Sequence, residues 1–484
     1  ERGEGYIAYK LVALSRTVPR REVPAEVVDR VLAAEEMLSE KQREAVRMAV
    51  ESPVSVITGG PGTGKTTILN QVLKIFEQSG VVALLAAPTG RAAKRMEGAT
   101  GRQAKTIHRL LEYGANPDDE DAADFSRFGR DEDHPLEADA VLVDESSMID
   151  IFLMRSLLAA VEEGTRVLFL GDADQLPSVG PGNVLKDILT SKAVPATVLE
   201  EVFRAGGNLV LNAHKVNLGE QIDLFSAGDF VFLPAASADD TLAQTLSQYM
   251  RRIEAGDSIE EVQVICPVKK GTIGVYRIDA EIRERVNPRR VDKREATFGE
   301  TLFREGDKVM QIVNNYTKTW HIDGASPVLT RGEGVYNGDM GRIARISPEE
   351  RTLHILFDGE RIAEYDFEEL SQLEHAYAVT VHKSQGSEFE TVLLPLYYGR
   401  SDFLTRNLFY TAMTRARKKL LLLGREATVR HMIRNAKISQ RYTALDHEIK
   451  KELEFAENAG VRPLFSREPA DRDDLLDLFP EEEP

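Results

Sequence analysis

The chain has 484 residues, 42% hydrophobic and 29% charged, a balance that fits two to four folded domains and excludes a fibrous or fully disordered polymer. With 61 basic against 79 acidic residues its formal net charge is −18, which excludes a generally basic nucleic-acid coat and leaves any phosphate contact to local Lys and Arg. One cysteine, Cys266, excludes an intrachain disulfide and a thiolate zinc site and fits a reducing cytoplasm, and no apolar run approaches the roughly 20 residues that span a bilayer.

From the start of the chain, Glu1–Lys10 lacks the pattern of a secretory signal. The absence of an initiator Met fits a fragment or a processed product, and residues 1–37 read as a flank. Short apolar runs at Pro53–Thr58, Val82–Ala87, Asp139–Asp144 and Arg166–Leu170 predict the strands of a parallel-sheet unit over 38–190. An acidic, turn-rich stretch, Tyr113–Glu137, interrupts it. A second α/β unit is expected over 191–295 and 374–450, with strands at Val262–Pro267, Thr391–Leu396 and Lys419–Leu423. Cys266 reads as a buried apolar side chain of the first of these. Between the two halves, Ala296–Leu373 changes character: Gly and alternating β-formers at Gly306–Val313, Gly341–Ile346 and Leu353–Phe357 predict a small β-barrel inserted in the second unit. Residues 451–484 read as a helix and an Asp/Glu/Pro-rich tail, disordered or loosely docked after Ser466.

Gly59-Gly60-Pro61-Gly62-Thr63-Gly64-Lys65-Thr66 is a complete G-x-x-x-x-G-K-T phosphate loop, set between an apolar strand and an apolar-periodic helix that continues from Thr67. The glycines let backbone N–H groups wrap a β-phosphate, and the helix N-terminus adds a favourable dipole. Lys65 is expected on the β- and γ-phosphates of ATP, and the Thr66 hydroxyl on Mg²⁺. The buried run Val141-Leu142-Val143 ends in Asp144-Glu145, where Asp144 would hold Mg²⁺ and Glu145 would activate the attacking water.

With Gly171-Asp172-Ala173-Asp174-Gln175-Leu176-Pro177 next in order, the chain resembles superfamily 1 helicases, in which a Gln, here Gln175, senses the γ-phosphate. Leu38-Ser39-Glu40-Lys41-Gln42 is similar to the motif whose Gln contacts adenine. Ala87–Lys94 and Thr106-Ile107-His108 are similar to strand-contacting segments. Glu201-Val202-Phe203-Arg204 supplies a candidate arginine finger; Ala205 stands where the family often has Gln, so no Gln contact is expected there. Val381–Glu388 and Tyr410–Arg417 complete the set, and the wording is closest to the RecD-like branch, superfamily 1B, over about Leu38 to Arg425.

The resemblance implies two recA-like P-loop domains with the nucleotide between them. It would be held by Gln42, Gly60, Pro61, Gly62, Thr63, Gly64, Lys65, Thr66, Thr67, Gly386 and Glu388, and Arg204 and Arg415 would neutralise the γ-phosphoryl transition state. It also implies an SH3-like barrel capping bound single-stranded DNA, a pin at Tyr113–Glu137 that splits duplex junctions, and 5′→3′ movement. The many acids of that pin argue against a tight backbone contact, so splitting would depend on shape. Candidate DNA grips are Pro88, Thr89, Arg91, Thr106 and His108 on the first unit and Thr380, His382, Ser384 and Gln385 on the second. Lys269-Lys270-Gly271, Asn314-Asn315-Tyr316 and Tyr336–Asp339 are further positions near the strand or ordinary turns.

Leu475-Leu476-Asp477-Leu478-Phe479 resembles the pentapeptide that docks bacterial proteins on the replication sliding clamp, with Leu475 where Gln is usual. Residues 1–37 are too short for the extra N-terminal region of longer members, so a free-standing monomer acting in repair or recombination is the expectation. The rival readings are an RNA-stimulated superfamily 1 motor, a nucleotide-gated DNA-binding scaffold with weak ATPase, and a small-molecule P-loop kinase.

Overall fold

The computed structural model describes residues 2–113, 128–200, 207–224, 227–323, 330–399, 401–437 and 443–458. Six parallel strands open the fold: β1 (Val54–Gly59), β2 (Ala83–Ala87), β3 (Ala104–Thr106), β4 (Ala140–Val143), β5 (Arg166–Gly171) and β6 (Ala196–Leu199), side by side in the order β3-β2-β4-β5-β1-β6. Every residue of β1, β4 and β5 is buried, as expected for a parallel sheet covered by helices on both faces. Alternate side chains serve different cores. Val167 and Phe169 pack under helices Ile151–Ala159 and Val184–Ser191, while Leu168 and Leu170 pack under Glu40–Glu51 and Lys65–Gln78.

Two boundaries differ from the sequence division. Strand β6 lies within the stretch assigned to the second unit, yet it pairs with β1, Val56 opposite Ala196 and Gly59 opposite Leu199, so the first sheet extends to Leu199. Residues 1–37 also contribute to the first unit. Helix Arg2–Ser15 buries Ile7 and Leu11 in the same core as Ile188, and helix Leu445–Asn458 returns from the far end of the chain to add Leu445 and Ile449. The Thr443 hydroxyl lies 2.9 Å from the Glu4 carboxylate and 2.8 Å from that of Asp187, stitching the two chain ends to helix Val184–Ser191.

The second unit starts with β7 (Phe230–Pro234) and β8 (Val262–Cys266). The chain then leaves through β9 (Glu295–Phe298), β10 (Thr301–Arg304), β11 (Lys308–Gln311), β12 (Asn315–Ile322), β13 (Thr330–Val335), β14 (Met340–Ser347), β15 (Thr352–Phe357), β16 (Arg361–Asp366) and β17 (Leu373–His375). It returns as β18 (Ala378–Thr380), β19 (Phe389–Leu396) and β20 (Ala416–Gly424). Strands β18-β8-β19-β20-β7 form a second all-parallel sheet. Cys266 is fully buried in it, as its apolar run predicts.

The excursion folds separately. Strands β9 and β10 make a hairpin, and β13-β12-β16-β15-β14-β11-β17 form an antiparallel sheet around Val309, Ile343, Leu353, Ile355 and Phe357. Its root is held by two buried charges. The Asp307 carboxylate accepts from Arg283 Nε at 2.9 Å and from Asn287 Nδ2 at 2.7 Å, and the Lys308 ammonium donates to the carbonyls of Ile259 (2.6 Å) and Val262 (3.1 Å) and to Gln263 Oε1 (2.9 Å). Burial pushes the Lys308 amine down to about 7, so its retention depends on those three acceptors.

Candidate functional site

Strand β1 ends in Gly59 and the chain turns through Gly60–Gly64 into helix Lys65–Gln78. Gly62 (φ 79°) and Gly64 (φ 91°) occupy left-handed backbone that a side chain would strain. The Thr63 hydroxyl closes the loop by donating to the Gly60 carbonyl at 2.8 Å, and Lys65 Nζ donates to the carbonyls of Gly59 and Gly60. Gln42 buttresses the loop from behind. Its amide oxygen accepts from Ser39 N (3.1 Å) and its amide nitrogen donates to the Thr63 carbonyl (3.0 Å), so both ends are engaged and a Cβ at Gly64 would lie 2.2 Å from Nε2. Thr66 and Thr67 remain exposed at the start of the helix.

Asp144 and Glu145 follow β4 directly. Glu145 has φ 53° and ψ 38°, a left-handed conformation rare for a side-chain-bearing residue and a mark of local strain. Burial raises the Asp144 carboxyl, and the neighbouring Glu145 charge raises it further. Burial opposes ionisation of Glu145 too, but Arg95, Arg415 and Lys65 together hold it below its ordinary value. Arg95 caps Glu145 directly, lies 3.7 Å from Asp144 Oδ2, and reaches Glu388 of the second unit at 3.1 Å. The motif reading did not single out Arg95; its signal is the one-turn spacing from Arg91 on helix Gly90–Thr100, which puts both on one face.

From the second unit, helix Arg406–Met413 and the turn before β20 deliver Arg415, whose side chain is fully buried. Its Nη2 lies 2.7 Å from Gln175 Oε1 and 3.1 Å from Thr414 Oγ1, while Nε donates to the Thr411 carbonyl at 3.1 Å. Gln175 Nε2 in turn donates to Asp172 Oδ2 (3.0 Å), which also accepts from Tyr410 OH (2.9 Å). Burial raises Asp172 despite the opposing Lys65 charge, and burial lowers the Arg415 guanidinium. Tyr410, Asp172, Gln175 and Arg415 thus form one polar chain across the seam. Lys65, Thr66, Asp144, Glu145, Gln175 and Arg415 line one cleft of about 860 Å³, joined by Gly386 and Glu388. Arg204 lies outside the described residues.

No group of three or more His, Cys, Asp or Glu side chains poised for a metal occurs among the described residues. The oxygens present, the Thr66 hydroxyl and the Asp144 carboxylate beside a phosphate loop, suit a hard cation completed by phosphate and water.

The strand candidates separate into two groups. Pro88 and Thr89 are half-buried at the end of β2, with the Thr89 hydroxyl capping helix Gly90–Thr100 by accepting from Ala92 N at 3.2 Å. Thr106 is buried and caps Ile107–Leu110 (Arg109 N, 3.1 Å), Thr380 is buried with its hydroxyl accepting from Lys383 N at 3.3 Å, and His382 is exposed. Arg91, Ser384 and Gln385 are placed otherwise. Arg91 donates to Ser387 Oγ at 2.6 Å inside the nucleotide cleft. Ser384 is fully buried and donates to the Val381 carbonyl (2.7 Å), and Gln385 Nε2 spans the seam to the Leu176 carbonyl (2.9 Å). Arg91 and Gln385 thus spend their polar groups on partners in the opposite unit, and Ser384 spends its hydroxyl on its own turn.

His108 sits in an aromatic cluster, 5.6 Å from Tyr113, 5.9 Å from Phe128 and 6.4 Å from Tyr316 of the inserted sheet, and burial pushes its imidazole down. Tyr336 of the same insertion rests on Gly90, where a Cβ would come within 2.3 Å of its ring. The excursion therefore docks on the first unit beside the strand candidates. Tyr113 and Phe128 pair as an antiparallel bridge at the base of the acidic insertion, whose residues 114–127 lie outside the described set, as do residues 475–479.

Three family models match stretches of the chain. Residues 42–181 match the AAA domain family, 278–357 the ATP-dependent RecD-like DNA helicase SH3 domain, and 375–423 the UvrD-like helicase C-terminal domain. The chain is 35% identical to the ATP-dependent RecD2 DNA helicase of Deinococcus radiodurans over 389 residues, covering 80% of this chain and 49% of that protein, so it spans about half that relative's length. It is 30% identical to the RecBCD enzyme subunit RecD of Mycolicibacterium smegmatis over 437 residues, covering 81% of this chain and 72% of that protein. The crystal structure of Pif1 helicase from Bacteroides in complex with ADP-AlF3 and ssDNA aligns with a TM-score of 0.48 at 18% identity, covering 88% of this chain and 99% of that one.

Proposed function

The chain belongs to the RecD-like helicase family, and from that membership we propose that it is an ATP-hydrolysing DNA helicase that moves 5′→3′ on single-stranded DNA and opens duplex, in repair or recombination. The observation that carries the reading is a cleft in which Lys65 and Glu145 of one unit meet Arg415 of the other. A pocket assembled from two units is completed only when they close, so ATP binding and hydrolysis bias their relative position.

In this proposal Lys65 binds the β- and γ-phosphates, and Glu145 takes the proton of the attacking water. Gln175 senses the γ-phosphate, while Arg415, with Arg204, neutralises charge that develops on the transferred phosphoryl group. Thr66 and Asp144 would hold Mg²⁺, which would neutralise charge on the bridging phosphate oxygens. The engaged amide of Gln42 supports a role in shaping the loop alongside any adenine contact. Pro88, Thr89, Thr106 and His108 on one unit and Thr380 and His382 on the other would hold the strand, with the inserted module above it. Residues 475–479 remain the proposed sliding-clamp tether of a cytoplasmic monomer.

Two assays test the reading. Duplexes carrying a 5′ or a 3′ single-stranded tail are incubated with ATP, and only the 5′-tailed duplex should be unwound. ATP turnover should rise with single-stranded DNA and far less with RNA of the same length. Unwinding from the 3′ tail alone would reverse the polarity, and an RNA-selective response would favour the RNA-stimulated rival.

A further inference from the structure

Helix Gly90–Thr100 meets the loop Gly386–Glu388 of the second unit at three successive points. A Cβ at Gly386 would lie 2.9 Å from Thr89 Oγ1, Arg91 donates to Ser387 Oγ at 2.6 Å, and Arg95 Nη1 lies 3.1 Å from Glu388 Oε1. The other Arg95 nitrogen, Nη2, caps Glu145. One guanidinium thus joins the candidate base of the first unit to an acid of the second. A planar fork can satisfy two carboxylates at once, which an ammonium does less well.

Arg95 and Glu388 both belong to segments proposed to touch the strand. Arg95 rides on a helix whose N-cap, Thr89, is a strand candidate, and Glu388 follows the exposed His382 by six residues. A short helix moves as a body, so a shift imposed at its N-cap is passed to a side chain one and a half turns along. The carboxylate that Arg95 holds is also less available to take a proton from water, because its lone pairs are already shared with a cation.

We propose that Arg95 is a positioning residue that restrains Glu145 while the strand path is empty, and that strand binding across Thr89 and His382 draws Arg95 away and frees the base. The inference rests on the helicase reading above and adds to it the residue through which DNA raises ATP turnover.

The test uses the full chain and its Arg95→Ala and Arg95→Lys variants, with ATP turnover measured with and without an oligothymidine. For Arg95→Ala, kcat without DNA should rise about tenfold, the worth of one charge-assisted hydrogen bond. KM for ATP should stay within about twofold of wild type, because Arg95 touches the base rather than the phosphates. The stimulation ratio should collapse accordingly, and Arg95→Lys should restore part of the restraint. Fluorescence anisotropy of a labelled oligothymidine supplies a readout independent of turnover: affinity should stay near wild type without nucleotide, and its change on adding a non-hydrolysable ATP analogue should shrink.

A fall in kcat equal with and without DNA would reduce Arg95 to structural support and overturn the proposal. A raised KM with lowered kcat would make it an ATP ligand and overturn the proposal equally. If Arg95→Ala folds poorly, Arg95→Lys decides: a DNA-free rate and a stimulation ratio both at wild-type values would count against the restraint. Wild-type turnover indifferent to DNA sinks the helicase reading and this inference together, whereas a stimulated wild type with an unchanged Arg95→Ala ratio sinks only the inference.

Discussion

Gln175 and Arg415 lie 240 residues apart in the chain and on different units, yet Arg415 Nη2 donates to Gln175 Oε1 at 2.7 Å. Arg415 is fully buried, and Asp172 and Tyr410 extend the same network. Loss of Arg415 should therefore act twice, removing a transition-state cation and stranding the Gln175 amide. Arg415→Ala is expected to lower DNA-stimulated kcat by about 10³–10⁵. Gln175→Ala should cost less, and the double variant should be little worse than Arg415→Ala alone, because the two side chains act as a unit. Strictly additive losses in steady-state ATPase would argue that they work independently.

Lys65→Ala should abolish both turnover and unwinding, since no other described cation projects from the phosphate loop. Glu145→Gln separates binding from chemistry. The amide keeps the shape of the carboxylate but cannot take a proton, so ATP and single-stranded DNA should still bind, by filter retention, while hydrolysis stops. Turnover at the normal rate in Glu145→Gln would remove Glu145 from the role of base.

Gly90→Ala probes the docking of the inserted module. The new methyl would lie 2.3–2.7 Å from Tyr336 ring atoms and Cβ, too near the root of that side chain for a rotamer change to relieve. The module must lift, at a cost of about 1–3 kcal/mol. A lower thermal midpoint and weaker binding of single-stranded DNA should follow, and adding Tyr336→Gly, which removes the Cβ as well as the ring, should recover part of the midpoint. Unchanged stability in Gly90→Ala would show that the contact yields without strain.

Asp279 supplies a pH test. Burial holds its carboxyl up at about 6, against an ordinary 3.8, and its Oδ1 accepts from Ala378 N at 3.0 Å. A carboxyl raised on folding binds its proton more tightly in the native state. That contribution is complete below about pH 4 and is lost as pH climbs through 6, for a swing of roughly 2–3 kcal/mol. Asp279→Asn cannot titrate, so thermal melts at pH 5 and pH 8 should differ less in the variant than in the parent. An equal pH dependence in both would place the titration elsewhere.

Much of the site could be read before folding because its chemistry is local. A phosphate loop needs its glycines, lysine and threonine in one unbroken run, and Asp144-Glu145 must close an apolar strand. Strands β1, β4, β5, β8 and β19 fall within a residue or two of the apolar runs, since burial on both faces leaves a continuous hydrophobic word, and β20 starts three residues ahead of its run. Strand β6 escaped because its four residues carry no such run, and only pairing with β1 reveals their membership. Arg95 escaped because a guanidinium declares its partner only when distant carboxylates arrive. The strand-facing motifs were the least legible. A hydroxyl, amide or guanidinium in a loop can turn outward to phosphate or inward to a protein oxygen; Arg91 and Gln385 find partners across the seam, and Ser384 finds one in its own turn, the Val381 carbonyl.

The return of helix Leu445–Asn458 to pack beside Arg2–Ser15 means that the polypeptide passes between the two sheets twice, after Leu199 and before Thr443. A door hung on one pin can swivel freely, whereas a second pin fixes the axis. The covalent path itself thus narrows the swings open to these bodies, and a cut at either crossing would loosen the stroke while leaving every pocket residue in place.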